Sequence, residues 1–357
     1  MHINIAMIKE YLENFTRGKV QKVLVTPLNW GLGHATRCIP IIRNLLTLGH
    51  EVHIGSDGLA LSLLQNEFPD LHFIELPGYN IQYYGRNLTT SLLLQSPKML
   101  IAILKENKVV RSYCKKHGIN TVISDNRFGC RSSRSHNIII SHQLRILLPA
   151  KISANLATQI NHYWLKQFHE IWVPDYVPPN NLTGAMTDKG KLAHVKYIGP
   201  LSRFERLDLA IQYDIIVILS GPEPLRAQLE QILLNQLIVL DKKVLLVRGL
   251  PGMNVPIMEL PTRIEVKTFL PATALNVAIC SAQLVICRTG YTSVMDLVYL
   301  EKEALLIPTP GQPEQEYLAK QLIKNPLFIV CNQDQLDLSL QLKLLVEKSQ
   351  KKGNLSG

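Results

Sequence analysis

The sequence predicts an α/β fold made of two doubly wound halves. Three observations carry that reading. Short apolar runs of strand length alternate with longer helix-type stretches from residue 20 onward. The alternation gives way to a charged stretch at Arg203–Asp208 and restarts at Asp214. Each half opens on a strand followed by a polar loop that contains glycine. Such an order implies parallel sheets with right-handed crossovers, and ligands then bind at the carboxyl ends of the strands. At 357 residues the chain is long for one core and sufficient for two. The expected domains are 1–205, with 1–18 as a short helical extension, and 206–357.

Val20–Thr26 (VQKVLVT) reads as the first strand. Its loop, Pro27–His34, leads to a helix over Ala35–Leu48 closed by Gly49. Glu51–Ser56 is the second strand, Gly58–Glu67 the second helix and Leu71–Leu76 the third strand. Asn87–Gly118 is a long helix, apolar on more than one face, with Lys98, Lys105 and Lys108 interspersed. It suits a core position, and it also suits a lipid-facing or acceptor-facing one. Thr121–Ser124 runs into Asp125, and Ile138–Ser141 runs into His142. A polar helix over Ile152–Glu170 and a strand at Ile171–Pro174 complete the half, with Val195–Pro200 before the linker.

In the second half Asp214–Leu219 is a strand opening into Ser220-Gly221, and a helix runs to Ile238. Lys243–Arg248 and Ile264–Phe269 are strands, and a helix follows Leu270-Pro271 through Cys280. Leu284–Ile286 ends in a polar turn, Arg288-Thr289-Gly290, before a helix that carries Asp296. Ala304–Ile307 ends in a Pro/Gly loop that opens a helix at Glu314. Leu327–Val330 and Leu336–Val346 finish the fold, and the tail is expected to fray from Lys348.

Composition excludes several classes. The chain has 38 Lys and Arg against 28 acidic residues, a formal +10, yet it is poor in aromatics and has no Arg-rich run. That argues against nucleic-acid binding and fits an anionic small ligand or an anionic membrane surface. The six cysteines form no CxxC pair and no metal-type spacing, as expected of free thiols in a reducing compartment. No signal-type core and no run of bilayer length appears, so a cytoplasmic location is expected, with peripheral contact at the inner membrane surface.

The chemistry concentrates after strands. In Gly31–Arg37 (GLGHATR) the glycines admit a ligand to the backbone, and the helix start attracts negative charge. Gly33 belongs to this loop, and His34 at the helix entry could act as base or donor. Asp125 and His142 end neighbouring strands and could face the same opening. A helix cap is the plainer reading of each of the three. Ser220-Gly221 is a second phosphate-type loop, or an ordinary capping turn. Arg288, Thr289, Gly290, Asp296, Gln312, Gln315 and Glu316 form the richest group. An Arg can pair with phosphate, a helix carboxylate can take two ribose hydroxyls, and Gln or Glu can hold sugar hydroxyls. The chain has no Asp-x-Asp pair, so no metal site and no cofactor is expected. Acceptor choice should lie in Gly78–Leu88 and the Asn87–Gly118 region.

The stretch CRTGYTSVMDL…LLIPTPGQPEQEYLAKQL resembles the C-terminal nucleotide-sugar site of MurG-like family 28 glycosyltransferases, which have the GT-B fold. GLGHATR resembles their N-terminal glycine loop. The resemblance implies two Rossmann-like domains facing a central cleft. It further implies metal-independent, inverting transfer of a hexose or N-acetylhexosamine from a UDP-sugar to a glycan or lipid-linked acceptor. Asp296 would hold the ribose, Arg288 would lie beside the nucleotide, and Ser220 would meet the diphosphate. Gln315 and Glu316 would contact the sugar, Glu316 standing where MurG has a second Gln. His34, Asp125 and His142, in that order, are the base candidates. A nucleotide-sugar hydrolase of the PseG type and a non-catalytic nucleotide-sugar-binding subunit are the alternatives.

Overall fold

The computed structural model describes residues 8, 10–13, 19–79, 88–148, 150–250 and 259–353. Most of the expected N-terminal extension and residues 80–87 of the expected acceptor loop lie outside the described residues. The chain forms two compact units, Met1–Arg203 and Phe204–Gly357.

The first unit holds a seven-stranded parallel sheet in the order β3-β2-β1-β4-β5-β6-β7. Its strands are β1 (Lys22–Pro27), β2 (Glu51–Ser56), β3 (His72–Glu75), β4 (Thr121–Asp125), β5 (His136–Ile140), β6 (Glu170–Val173) and β7 (Val195–Tyr197). The central strands are buried along nearly their whole length and mostly apolar, because helices cover both faces, with polar residues such as Ser124 and Asp125 gathered at the carboxyl end of β4. Val23 and Val25 of β1 face Ile39, Ile42 and Leu45 of helix α1 (Gly33–Thr47). Leu24, between them, joins Val110 and Cys114 of helix α3 (Leu88–His117) on the other face. Helix α2 (Gly58–Glu67) follows β2. All eleven histidines belong to this unit. His34, His50, His53 and His142 are buried; His50 accepts a hydrogen bond from the Gln21 amide at 3.1 Å, and nearer the surface His136 stacks on the exposed His169 with ring centroids 4.9 Å apart.

The second unit holds a six-stranded parallel sheet, β10-β9-β8-β11-β12-β13. Its strands are β8 (Tyr213–Ile218), β9 (Val244–Val247), β10 (Ile264–Lys267), β11 (Ala282–Arg288), β12 (Ala304–Ile307) and β13 (Phe328–Val330). Helices α5 (Leu225–Leu237), α6 (Ala272–Cys280), α7 (Tyr291–Leu300), α8 (Pro313–Leu322) and α9 (Leu338–Gly353) follow β8, β10, β11, β12 and β13. Chain order reverses between β1 and β4 in one sheet and between β8 and β11 in the other. Open α/β sheets present their ligand crevice at the carboxyl side of such a reversal.

Four local differences from the sequence reading have physical reasons. Helix α1 begins at Gly33, so His34 and Arg37 share its first turn. Strand β4 extends through Asp125, whose backbone pairs with Pro27 of β1. Helix α4 (Lys151–Leu165) stops short of Glu170, which starts β6, and it is not a polar helix: Ile152, Leu156 and Ile160 stand exposed on it. Helix α9 continues to Gly353 rather than fraying from Lys348. The Lys348 ammonium donates to the carbonyls of Asn325 at 2.8 Å and Phe328 at 2.6 Å, which holds the last turns to β13.

Candidate functional site

The two chain reversals gather separate groups of polar side chains. At the first, His34, Arg37, Asp125 and His142 converge, all at least nine-tenths buried. Leu28 N–H donates to the Asp125 carbonyl at 3.0 Å, which locks the β1 loop to the end of β4. The Arg37 guanidinium grips the carboxylate with both edges. Nε donates to Asp125 Oδ2 at 2.5 Å and Nη2 donates to Oδ1. Nη1 lies 3.0 Å from His142 Nδ1, and Nη2 lies 2.6 Å from His34 Nδ1. His34 Nδ1 is also 3.0 Å from Asp125 Oδ1.

This geometry sets the protonation states. Burial alone would push the Asp125 carboxyl up, but the Arg37 charge and the His34 contact outweigh it and hold it well below the usual carboxylate range. Burial first, and Arg37 second, lower His34 against the upward pull of Asp125, so the imidazole is neutral near pH 7. Its Nδ1 faces a group that only donates and a group that only accepts, and these favour opposite tautomers. With the proton on Nδ1, toward Asp125, the lone pair of Nε2 is the available base.

The second group surrounds the ends of β8, β11 and β12. Ser220 and Gly221 are exposed after β8, and Gly221 has φ +103°, a conformation that favours glycine. A Cβ on Gly221 would stand 3.7 Å from Thr309 Oγ1, so the loops after β8 and β12 adjoin. Arg288 is 1% exposed, and its fork is committed to backbone. Nη2 donates to the Leu225 carbonyl at 2.8 Å, and Nη1 donates to the Pro308 carbonyl at 3.2 Å. No carboxylate is among these partners, and burial lowers its pKa to about 10. Arg288 Nε, Thr289 Oγ1 and Thr309 Oγ1 are buried without a hydrogen-bond partner. A buried cation lacking a counter-charge among the described residues, with one orphaned hydroxyl on the next residue and another on the residue after its Pro308 partner, is costly unless a ligand compensates it.

The other predicted residues fall around this point. Gly290 caps α7, and Asp296 lies on α7, half-buried, its charge raising the Cys287 thiol after burial has done so first. Gln312, Gln315 and Glu316 come together at the start of α8 and staple its loop. Gln315 accepts from Thr309 N–H at 2.9 Å and donates to Gln312 Oε1 at 2.6 Å, while Glu316 accepts from Gly311 N–H at 2.8 Å. The sequence reading missed two residues. Arg37 sits three residues after His34, a spacing that puts both on one helix face. Thr309 is a polar residue between two prolines at the end of a buried strand.

Residues 248–355 match the glycosyltransferase family 28 C-terminal domain. The chain carries a family 28 C-terminal domain. It is a glycosyltransferase of the GT-B fold, as its two parallel sheets and its structural neighbours agree. An uncharacterized glycosyltransferase of Methanosarcina acetivorans is 24% identical, covering 83% of this chain and 81% of its own. A counterpart from Methanosarcina mazei is 22% identical over the same shares. MurG of Acinetobacter baumannii superposes with a TM-score of 0.56 at 13% identity, covering 92% of this chain and 90% of its own. The spinosyn rhamnosyltransferase SpnG, complexed with thymidine diphosphate, gives 0.58 at 15%, covering 87% and 86%. At these identities the structural likeness concerns the fold, and the glycosyltransferase's own side chains must carry any reading of its ligands.

Proposed function

We propose that this glycosyltransferase moves a sugar, a hexose or N-acetylhexosamine, from a UDP-sugar to the hydroxyl of a glycan or lipid-linked acceptor, with inversion and without a metal. The observation that carries this reading is the buried, uncompensated Arg288 with the orphaned hydroxyls of Thr289 and Thr309 beside the exposed Ser220-Gly221 turn. A diphosphate supplies the missing negative charge and accepts from hydroxyl and backbone donors. Asp296 takes the ribose hydroxyls, and Gln312, Gln315 and Glu316 meet the sugar once donor binding draws them from the loop they now staple.

In the transfer step the acceptor oxygen forms a bond to the anomeric carbon. The bond from that carbon to the β-phosphate oxygen breaks, and its electron pair leaves with UDP. The acceptor proton passes to His34 Nε2 in the tautomer that Asp125 favours, and Arg37 holds Asp125 ionised. His142, held by the same guanidinium, flanks the base.

The test is UDP release from candidate UDP-sugars, first without acceptor and then with glycan and lipid extracts. Slow release that an extract accelerates supports transfer. Rapid release with water alone makes the chain a nucleotide-sugar hydrolase, and tight UDP binding with no release under any condition makes it a binding subunit. An Asp296→Asn variant should weaken UDP competition roughly tenfold to a hundredfold, as expected when charge-assisted hydrogen bonds are lost.

A further inference from the structure

The loop that carries His34 is tied down at three consecutive residues, each to a different neighbour. The Pro27 carbonyl accepts from Ser56 Oγ, at the end of β2, at 2.8 Å. Leu28 N–H donates to the Asp125 carbonyl at the end of β4. Asn29 uses both ends of its side-chain amide. Its Oδ1 accepts from Ala60 N–H of helix α2 at 3.2 Å, and its Nδ2 donates to Asp57 Oδ2 at 3.1 Å. Beyond Asn29 the chain passes through Gly31, at φ +72°, and Gly33 before it reaches His34. Two glycines leave that stretch a wide choice of backbone conformations.

The Asn29 bonds exchange the usual roles at a helix start. Asp57 is the N-cap of α2, yet its side chain caps none of that helix's amides. It turns instead to Asn29 and to Arg127, whose Nη1 donates to Asp57 Oδ1 at 2.6 Å. The oxygen that an N-cap side chain ordinarily gives the third helical amide comes here from Asn29, 31 residues before Ala60. Gly58 makes room for it: its φ is +51°, and a Cβ there would lie 2.4 Å from Asn29 Nδ2. Behind Asp57 the anchor is interior. Arg127 is wholly buried, donating from Nε to Glu106 Oε1 of α3 at 2.5 Å and from Nη2 to the Pro77 carbonyl at 2.7 Å. One guanidinium thus joins α3 to the segments after β2, β3 and β4.

We propose that Asn29 and Asp57 are positioning residues for the transfer step. By latching the β1 loop to α2 they hold the start of α1, and with it His34 Nε2, where the acceptor hydroxyl meets it. Asp57 could cap α2 unaided. That it does not, and that residue 58 is bare enough to admit Asn29, ties the arrangement to the loop rather than to the helix. The inference rests on the transferase reading of His34 and adds that the β2 side of the sheet, as well as the β4 side, fixes the base.

The experiment exchanges the two side chains in the full chain. Asn29→Asp alone sets two carboxylates together, and Asp57→Asn alone leaves a donor facing a donor. In Asn29→Asp/Asp57→Asn the carboxylate at 29 accepts from Ala60 N–H and from the amide at 57, which still accepts from Arg127. Arg127 keeps Glu106 as its counter-charge in every variant, so the fold is retained. The readouts are kcat for UDP release with the extract that accelerates it, donor KM, UDP competition and thermal melting. Each single variant should lose about tenfold or more in kcat, the effect of a slightly misplaced catalytic group, with donor KM and UDP competition unchanged. The double variant should recover most of it. Single variants with wild-type kcat make the pair an ordinary helix cap and overturn the proposal, and so does a double variant as slow as the singles. Amide exchange reads the latch without substrate: in Asn29→Ala the Ala60 amide should exchange roughly fivefold to tenfold faster. Unchanged exchange there overturns the latch whatever the chain transfers, whereas a wild type that releases no UDP with any extract defeats the transferase reading alone.

Discussion

His34 illustrates how much of a residue's chemistry lies outside its own sequence neighbourhood. Its loop reads, from Gly31 and Gly33, as one that would admit a ligand to the backbone, yet the protonation state of His34 is set by Asp125, 91 residues away, and by Arg37. A sequence shows Asp125 only as the end of a strand; that β4 lies beside β1 is a matter of topology. Since burial and Arg37 lower the His34 pKa, the neutral base persists below pH 6.5, and protonation removes it only in more acid solution. The acid limb of kcat/KM should thus lie below 6.5, and a limb above that value would count against His34 as the base. An Asp125→Asn variant should lose about a hundredfold or more in turnover with donor binding kept. It should also be destabilised by about 3–5 kcal/mol, because Arg37 would be left buried without its counter-charge. Equal effects of Asp125→Asn on turnover and donor affinity would point to a merely structural carboxylate.

At the scale of elements, the strands were the most legible part of the chain, because a strand covered on both faces must be apolar along its length. Helix ends were less so. Helix α4 reads as polar from its Asn, Gln, Thr and His content, and that composition hides an apolar stripe visible only once the buried side is known. The elements of the second unit show the same limit. Arg288 is recognisable as the cation after a buried strand, but the sequence suggests that it faces the ligand. Its fork instead joins three element ends: its own strand β11, the first residue of α5 and the loop after β12. An Arg288→Lys variant keeps the charge and loses the fork. UDP competition should weaken roughly tenfold, and stability should fall by about 1–3 kcal/mol as buried carbonyls lose their donor. Titration of UDP against the variant checks this, and unchanged affinity would separate the brace from the ligand.

For the molecule as a whole, the repetition of two parallel α/β halves was readable from the restart of the alternation at Asp214, and so was the basic balance, whereas the order of strands within each sheet was not. The confinement of every histidine to the first unit has a further consequence, in proton linkage. Burial lowers His34, His50 and His136, the last against the pull of Glu170. Their folded forms hold fewer protons than the unfolded chain once the pH drops below about 6.5. Stability from these groups is whole above that value and drains away as acid is added, while the Asp125 contribution survives to below the ordinary Asp value of 3.8. Amide protection, corrected for the slower intrinsic exchange in acid, should therefore fall in the β1–β4 core between pH 7.5 and 5 and hold steady in the β8–β11 core. A cell compartment that acidifies would loosen the unit that holds the histidines and leave the other folded.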